Sequence, residues 1–161
     1  MLEDRFKFKI WDKTKKKFLP LEYKSEKTDS WIILDNTGVY LVERDNARDV
    51  AFFTDITDDV IILQCTGLRD KNGKEIYEGD ILNLYVSSKK LYRYQVKYEI
   101  GSFMLVSQDE IFDFPNVWND NVYPLSQLYF EYQNEENYIE QCEVVGNIYE
   151  NPELLEVGIP A

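Results

Sequence analysis

Polar and apolar residues alternate strictly along Arg5-Phe6-Lys7-Phe8-Lys9-Ile10-Trp11, with Phe6, Phe8 and Ile10 on one side and Arg5, Lys7, Lys9 and Trp11 on the other. A period of two marks a half-buried strand, because successive side chains leave a strand on opposite faces. Asp12-Lys13-Thr14-Lys15-Lys16-Lys17 reads as a polar turn that returns the chain to Phe18 and Leu19. Four short apolar runs follow: Trp31–Leu34, Val39–Val42, Val50–Phe53 and Val60–Leu63. Their β-branched and aromatic content favours strands. Asp35-Asn36-Thr37-Gly38 is a hairpin turn signal between the first two, and Arg44–Arg48 reads as a loop or one short helical turn.

The second half repeats the pattern. Asn72-Gly73, inside Asp70–Lys74, suits the two positive-φ positions of a type I′ turn, and Ile81–Val86 follows as a strand. In Leu91–Tyr98, Tyr92, Tyr94, Val96 and Tyr98 share one face, while Arg93, Gln95 and Lys97 share the other. Gly101 permits a turn into Phe103–Val106, and Glu143–Tyr149 is a final strand. Residues 107–140 are irregular and acidic, with Pro115 and with Pro124 opening one helical turn. Asn151 is placed to cap a short helix with Pro152 at its first position and Gly158 as its stop. Short strands separated by frequent turns predict a mainly β fold, a sandwich or small barrel with few short helices.

Composition narrows the chemistry. The chain has 161 residues, 44% of them hydrophobic, enough for one domain with a real core. No apolar run approaches the roughly 18 residues of a membrane span, and the first ten residues do not form a secretory signal. Histidine is absent, which removes His-based triads, His general bases and most zinc sites. Cys65 and Cys142 sit in apolar segments without a CxxC pattern and read as buried free thiols in a reducing cytoplasm. They can bridge only if their segments are neighbours. The glycines form no phosphate-binding loop, and the carboxylates near Asp70 do not follow the twelve-residue calcium-loop spacing. No cofactor is implied.

Charge is uneven. Residues 1–27 carry nine basic and five acidic side chains, residues 28–108 nine and thirteen, and residues 109–161 none and twelve, for a total of −12. This field disfavours duplex DNA, whose binding needs Lys and Arg to replace counterions. Lys13, Lys15, Lys16 and Lys17 are the densest basic group and a candidate partner surface, although a solvated turn is the plainer reading of them. A basic head and an acidic tail predict a salt-sensitive homo-oligomer joined end to end.

Three segments carry a resemblance: Arg5–Asp12, then Gln64-Cys65-Thr66-Gly67-Leu68-Arg69-Asp70-Lys71-Asn72-Gly73-Lys74-Glu75-Ile76-Tyr77-Glu78-Gly79-Asp80-Ile81, then Val144–Leu155. Together they resemble the YopX family of phage and prophage proteins. The resemblance implies a cytoplasmic phage or prophage protein with an SH3-like small barrel, and it supplies no activity and no catalytic residue. On this basis residues 1–161 form a single domain. Residues 64–155 would be the barrel core, completed by the N-terminal strand 5–11, and residues 19–63 an added β lobe.

Read physically, Thr66, Gly67, Leu68 and Gly73 fix a turn before the barrel. Tyr77, Glu78, Gly79 and Asp80 form a tight corner where Gly79 takes a backbone other residues would strain and Asp80 accepts backbone N–H groups. Glu78 and Asp80 are also candidate contacts for a partner. Asn147, beside Gly146, is expected to bond nearby backbone, and the Asn151-Pro152 helix to close one end of the barrel.

The leading expectation is a non-enzymatic binding or assembly module for an unidentified phage or host protein. The alternative is an acidic nucleic-acid mimic that inhibits a host DNA-binding protein. A third, single-stranded nucleic-acid binding by stacking on Tyr92, Tyr94 and Tyr98, requires that face to be open to solvent.

Overall fold

The alternating N-terminal segment forms β1 (Phe8–Asp12), which returns through Lys13–Lys16 into β2 (Lys17–Leu19), pairing Ile10 with Leu19, Trp11 with Phe18 and Asp12 with Lys17. The structure is a computed structural model that describes residues 6–85, 91–107, 122–132 and 138–156. Arg5, Val86, Pro115 and Gly158, on which parts of the sequence expectations fall, lie outside the described residues. The chain divides into two compact units, residues 9–62 and residues 1–8 with 63–161.

In residues 9–62, β3 (Glu22–Tyr23), β4 (Thr28–Leu34), β5 (Val39–Asp45) and β6 (Val50–Asp55) form an antiparallel sheet in sequence order. The β4–β5 turn is held by Asp35, whose Oδ1 accepts the N–H of Thr37 at 2.7 Å and of Gly38 at 3.1 Å. Arg44 lies inside β5, and the turn is confined to Asn46–Asp49, where Asp45 Oδ1 accepts the N–H groups of Ala47 and Arg48. The core of this unit is small: Ile10, Trp11, Val39, Val42 and Val60 are its buried apolar residues.

β7 (Val60–Asp70) leads into the other unit, where it pairs with β8 (Glu75–Tyr77). There β9 (Asp80–Tyr85), β10 (Leu91–Glu99), β11 (Ser102–Val106), β12 (Val122–Pro124) and β14 (Cys142–Asn147) form a sheet in the order β12-β11-β10-β9-β14. β13 (Tyr138–Ile139) adds in parallel to β7. Helix α1 (Leu125–Tyr132) contributes Leu125 and Leu128 to a core with Ile76, Leu82, Leu84, Tyr94, Val96, Leu105, Ile139, Cys142 and Val144. Each of these large aliphatic side chains contributes about 1.5–3 kcal/mol by leaving water. A second helix, α2 (Glu153–Glu156), follows β14.

The protein is mainly β, with open sheets and none closed into a barrel. The expected barrel closure is therefore corrected. Beside β14, a full ladder is replaced by one backbone bond, Lys71 N–H to the Cys142 carbonyl at 2.9 Å, and by Asp70 Oδ2, which accepts the Val144 N–H at 2.9 Å. A carboxylate stands where a neighbouring strand would offer a carbonyl.

Candidate functional site

The motif residues around Thr66–Asp80 build the frame of one unit. Between the Cys65–Tyr77 and Arg69–Glu75 pairs the register shifts, so Thr66, Gly67 and Leu68 oppose Ile76 alone. Thr66 Oγ1 fills the gap by donating to the Ile76 carbonyl at 2.8 Å and accepting the Leu68 N–H at 3.2 Å. Gly67 takes φ 79°, and Leu68 packs against the core.

Asp70 is wholly buried, and its Oδ1 accepts the N–H groups of Asn72 and Lys74, both at 2.9 Å. This corrects the expected type I′ turn: Gly73 has φ 78° while Asn72 keeps a negative φ, and the Gly73 N–H closes onto the Asp70 carbonyl at 2.9 Å. The result is a type I turn ended by a left-handed glycine, the usual three-residue hairpin loop.

At the corner, Tyr77 and Asp80 are buried and Glu78 is half-buried. Asp80 Oδ2 accepts the Tyr77 N–H at 2.8 Å, and its Oδ1 accepts from Asn147 Nδ2 at 3.2 Å. Asn147 Oδ1 in turn accepts the Tyr149 N–H at 3.0 Å. At 2% exposure Asp80 offers no carboxylate to a partner, so that part of the expected partner surface is corrected.

Asn151 Oδ1 accepts the Asn147 N–H at 3.3 Å, tying α2 back to β14 instead of capping the helix, and Pro152 precedes the first helical residue. Arg93 completes the attachment, donating from Nε to Asn83 Oδ1 at 3.0 Å and from an η nitrogen to the Leu154 carbonyl at 2.7 Å. The helix is held on a sheet, not over the mouth of a barrel.

These buried carboxylates serve backbone N–H groups. The half-buried ones serve cations. Lys7 and Arg69 both reach Glu75, and the Tyr77 hydroxyl donates to it at 2.8 Å. The Lys7 ammonium is the chief reason the Glu75 carboxyl lies below its ordinary pKa, with Tyr77 helping and partial burial opposing. Burial pushes the Tyr77 phenol and the Cys142 thiol up. Glu143 meets Lys71 at 2.8 Å and the Tyr85 hydroxyl at 2.9 Å, and both hold its carboxyl down, Lys71 first.

The tyrosine face is not a stacking platform. Tyr94 is 2% exposed and Val96 0%, and Tyr92 packs on the same core. Tyr98 stands outside at 51% exposure, edge-on to Phe103 with centroids 5.2 Å apart.

Two features of residues 9–62 face outward. One is a cleft of about 370 Å³ lined by apolar residues, among them Leu19, Ile32 and Leu41, and by Asp12, Glu43 and Asp59, with Lys15 as the cation. The lysine turn borders it: Asp12 Oδ1 accepts the Thr14 and Lys15 N–H groups at 2.9 and 2.7 Å, Lys16 takes φ 52°, and the Lys13, Lys15, Lys16 and Lys17 side chains are solvated. The Lys15 N–H is the chief cause holding the Asp12 carboxyl down, against partial burial. The other feature is β6, whose six residues are all exposed, with Phe52 at 59% and Phe53 at 68%. No signal in the sequence separates Val50–Phe53 from a buried strand, since an apolar run does not reveal what covers it.

Open sheets framed by buried aspartates, with an exposed apolar edge, define a mainly β protein. The chain belongs to the YopX protein family, whose pattern matches residues 7–156. Protein yopX from Bacillus subtilis is similar over 94% of this chain and 98% of its own, at 20% identity and a TM-score of 0.55, a likeness of fold between distinct proteins. Protein EF1440 from Enterococcus faecalis is 26% identical over 92% of this chain and 96% of its own, with a TM-score of 0.49. No curated protein matches. Among the described residues no helix is long and apolar enough to cross a membrane.

Proposed function

We propose that this protein is a non-enzymatic binding and assembly module, a cytoplasmic accessory protein of phage or prophage origin. The observation that supports this reading is β6, a six-residue sheet edge that keeps Phe52 and Phe53 in water. Exposed apolar surface of this kind weakens solubility unless a partner covers it, and an unpaired edge offers N–H and C=O groups to an incoming strand. Free, buried Cys65 and Cys142 suit a reducing compartment. The test is affinity capture from lysogenic or infected cells, comparing the native protein with a Phe52→Ser, Phe53→Ser variant of unchanged circular dichroism. Proteins retained by the native chain and lost by the variant support the reading. Identical captured sets overturn it.

A further inference from the structure

β6 ends its sheet, and among the described residues no other strand pairs with its outer edge. Proteins blunt such edges with lysine, proline, bulges or very short strands. The opposite edge, β3, has two residues. β6 has six, Val50-Ala51-Phe52-Phe53-Thr54-Asp55, none of them lysine or proline.

Resting on the assembly reading above, we propose that β6 pairs antiparallel with β6 of a second copy, about a twofold axis through Phe53. Two four-stranded sheets then become one continuous sheet. Backbone geometry restricts the choice. The N–H and C=O of one residue point to the same edge, and those of the next residue to the other. A strand pairing with itself must therefore oppose residues of equal parity, which places the axis on a residue and never between two.

Charge then selects which residue. An axis on Phe52 sets Asp49 against Asp55 twice. An axis on Ala51 pairs only residues 50–52, and one on Thr54 pairs only residues 53–55. An axis on Phe53 opposes Phe52 with Thr54 and Ala51 with Asp55, then Val50 with Ile56 just past the strand end, and sets no two like charges against each other. Like charges facing across strands oppose a pair. The edge is thus self-complementary in apolar contact, as a twofold interface requires.

Sedimentation velocity of the whole chain tests this. The native protein is expected to dimerise reversibly at micromolar concentration, and Phe53→Asp, which places two carboxylates on the axis, to be monomeric with native circular dichroism. Because both native cysteines are buried, Phe53→Cys should give a disulfide-linked dimer in air, while Phe130→Cys, exposed at 72% on the other unit, should not. A dimer that survives Phe53→Asp, or a Phe53→Cys protein that forms no disulfide, overturns this interface while leaving the assembly reading intact. A native protein that stays monomeric overturns self-pairing, and the capture experiment then decides the broader reading separately.

Discussion

Asp70 gathers three backbone N–H groups, from Asn72, Lys74 and Val144, onto one buried carboxylate. Asp70→Ala leaves all three without an acceptor at a site with no solvent, so we expect a loss of roughly 3 kcal/mol or more. Asp70→Asn keeps one oxygen but turns an amide N–H toward that of Val144, and should cost about half as much; urea unfolding with an unchanged slope reads both. Glu75 gives a pH signature. Its folded pKa is depressed, chiefly by Lys7, so its contribution is full above the unfolded value of about 4.3 and is lost as pH falls through the folded value. Glu75→Gln should therefore be less stable than the native protein by on the order of 1 kcal/mol at pH 7, with the gap closing below about pH 4. Ile100 offers the reverse case. It has φ 53° beside Gly101 at 73°, the two centres of a type I′ turn between paired Glu99 and Ser102. A β-branched residue is strained there. Since Ile100 is 63% exposed, Ile100→Asn should raise stability by about 1 kcal/mol in thermal melts.

At the level of elements, β14 and α2 depend on one irregularity. The β9–β14 register shifts between Val144 and Gly146, which bulges Val145 and brings Gly146 under the helix. A β-carbon on Gly146 would lie 2.6 Å from Leu154 Cδ1 and 2.8 Å from Asn151 Oδ1. Gly146→Ala should displace α2 and cost about 1–3 kcal/mol, with hydrogen exchange rising at Leu154 and Leu155 before the sheet opens. The sequence pattern made β10 legible because alternation survives there, with Tyr94 and Val96 buried between half-buried neighbours; in β1 it does not, since Ile10, Trp11 and Asp12 are all buried. It placed the turn at Asn72-Gly73 but gave it the wrong type, because the Asp70 side chain, not the dipeptide, sets that geometry. It assigned Asn151 to a helix cap because capping is local, whereas the actual acceptor role reaches back to Asn147. Barrel closure failed for the same reason: a side chain replaced a strand. The exposure of Phe52 and Phe53 was not legible at all, because Val50–Phe53 has the same apolar signature as Val60–Leu63, where Val60 and Leu63 are buried.

For the whole molecule, salt separates two modes of self-association. Joining a basic head to an acidic tail attracts opposite charges, is heterologous, and so weakens with salt and continues into longer chains of copies. Pairing through β6 is isologous and stops at a dimer. Its contact is apolar and made by backbone, whereas each copy brings a net charge of −12. The charge is unequally placed: residues 9–62 hold nine basic and eleven acidic side chains, against nine and nineteen in the rest of the chain. The edge thus sits on the nearly neutral part, with long-range repulsion coming from the remainder. At 0.01 M salt the screening length is about 30 Å, comparable to a small domain, and at 0.15 M about 8 Å. Adding salt should screen the repulsion between the net charges of the two copies without weakening the apolar contact at Phe53. Sedimentation equilibrium between these two salt concentrations should show dimerisation strengthening several-fold, with no species beyond the dimer. A dimer that dissociates as salt is added would instead identify the head-to-tail contact as the one that holds.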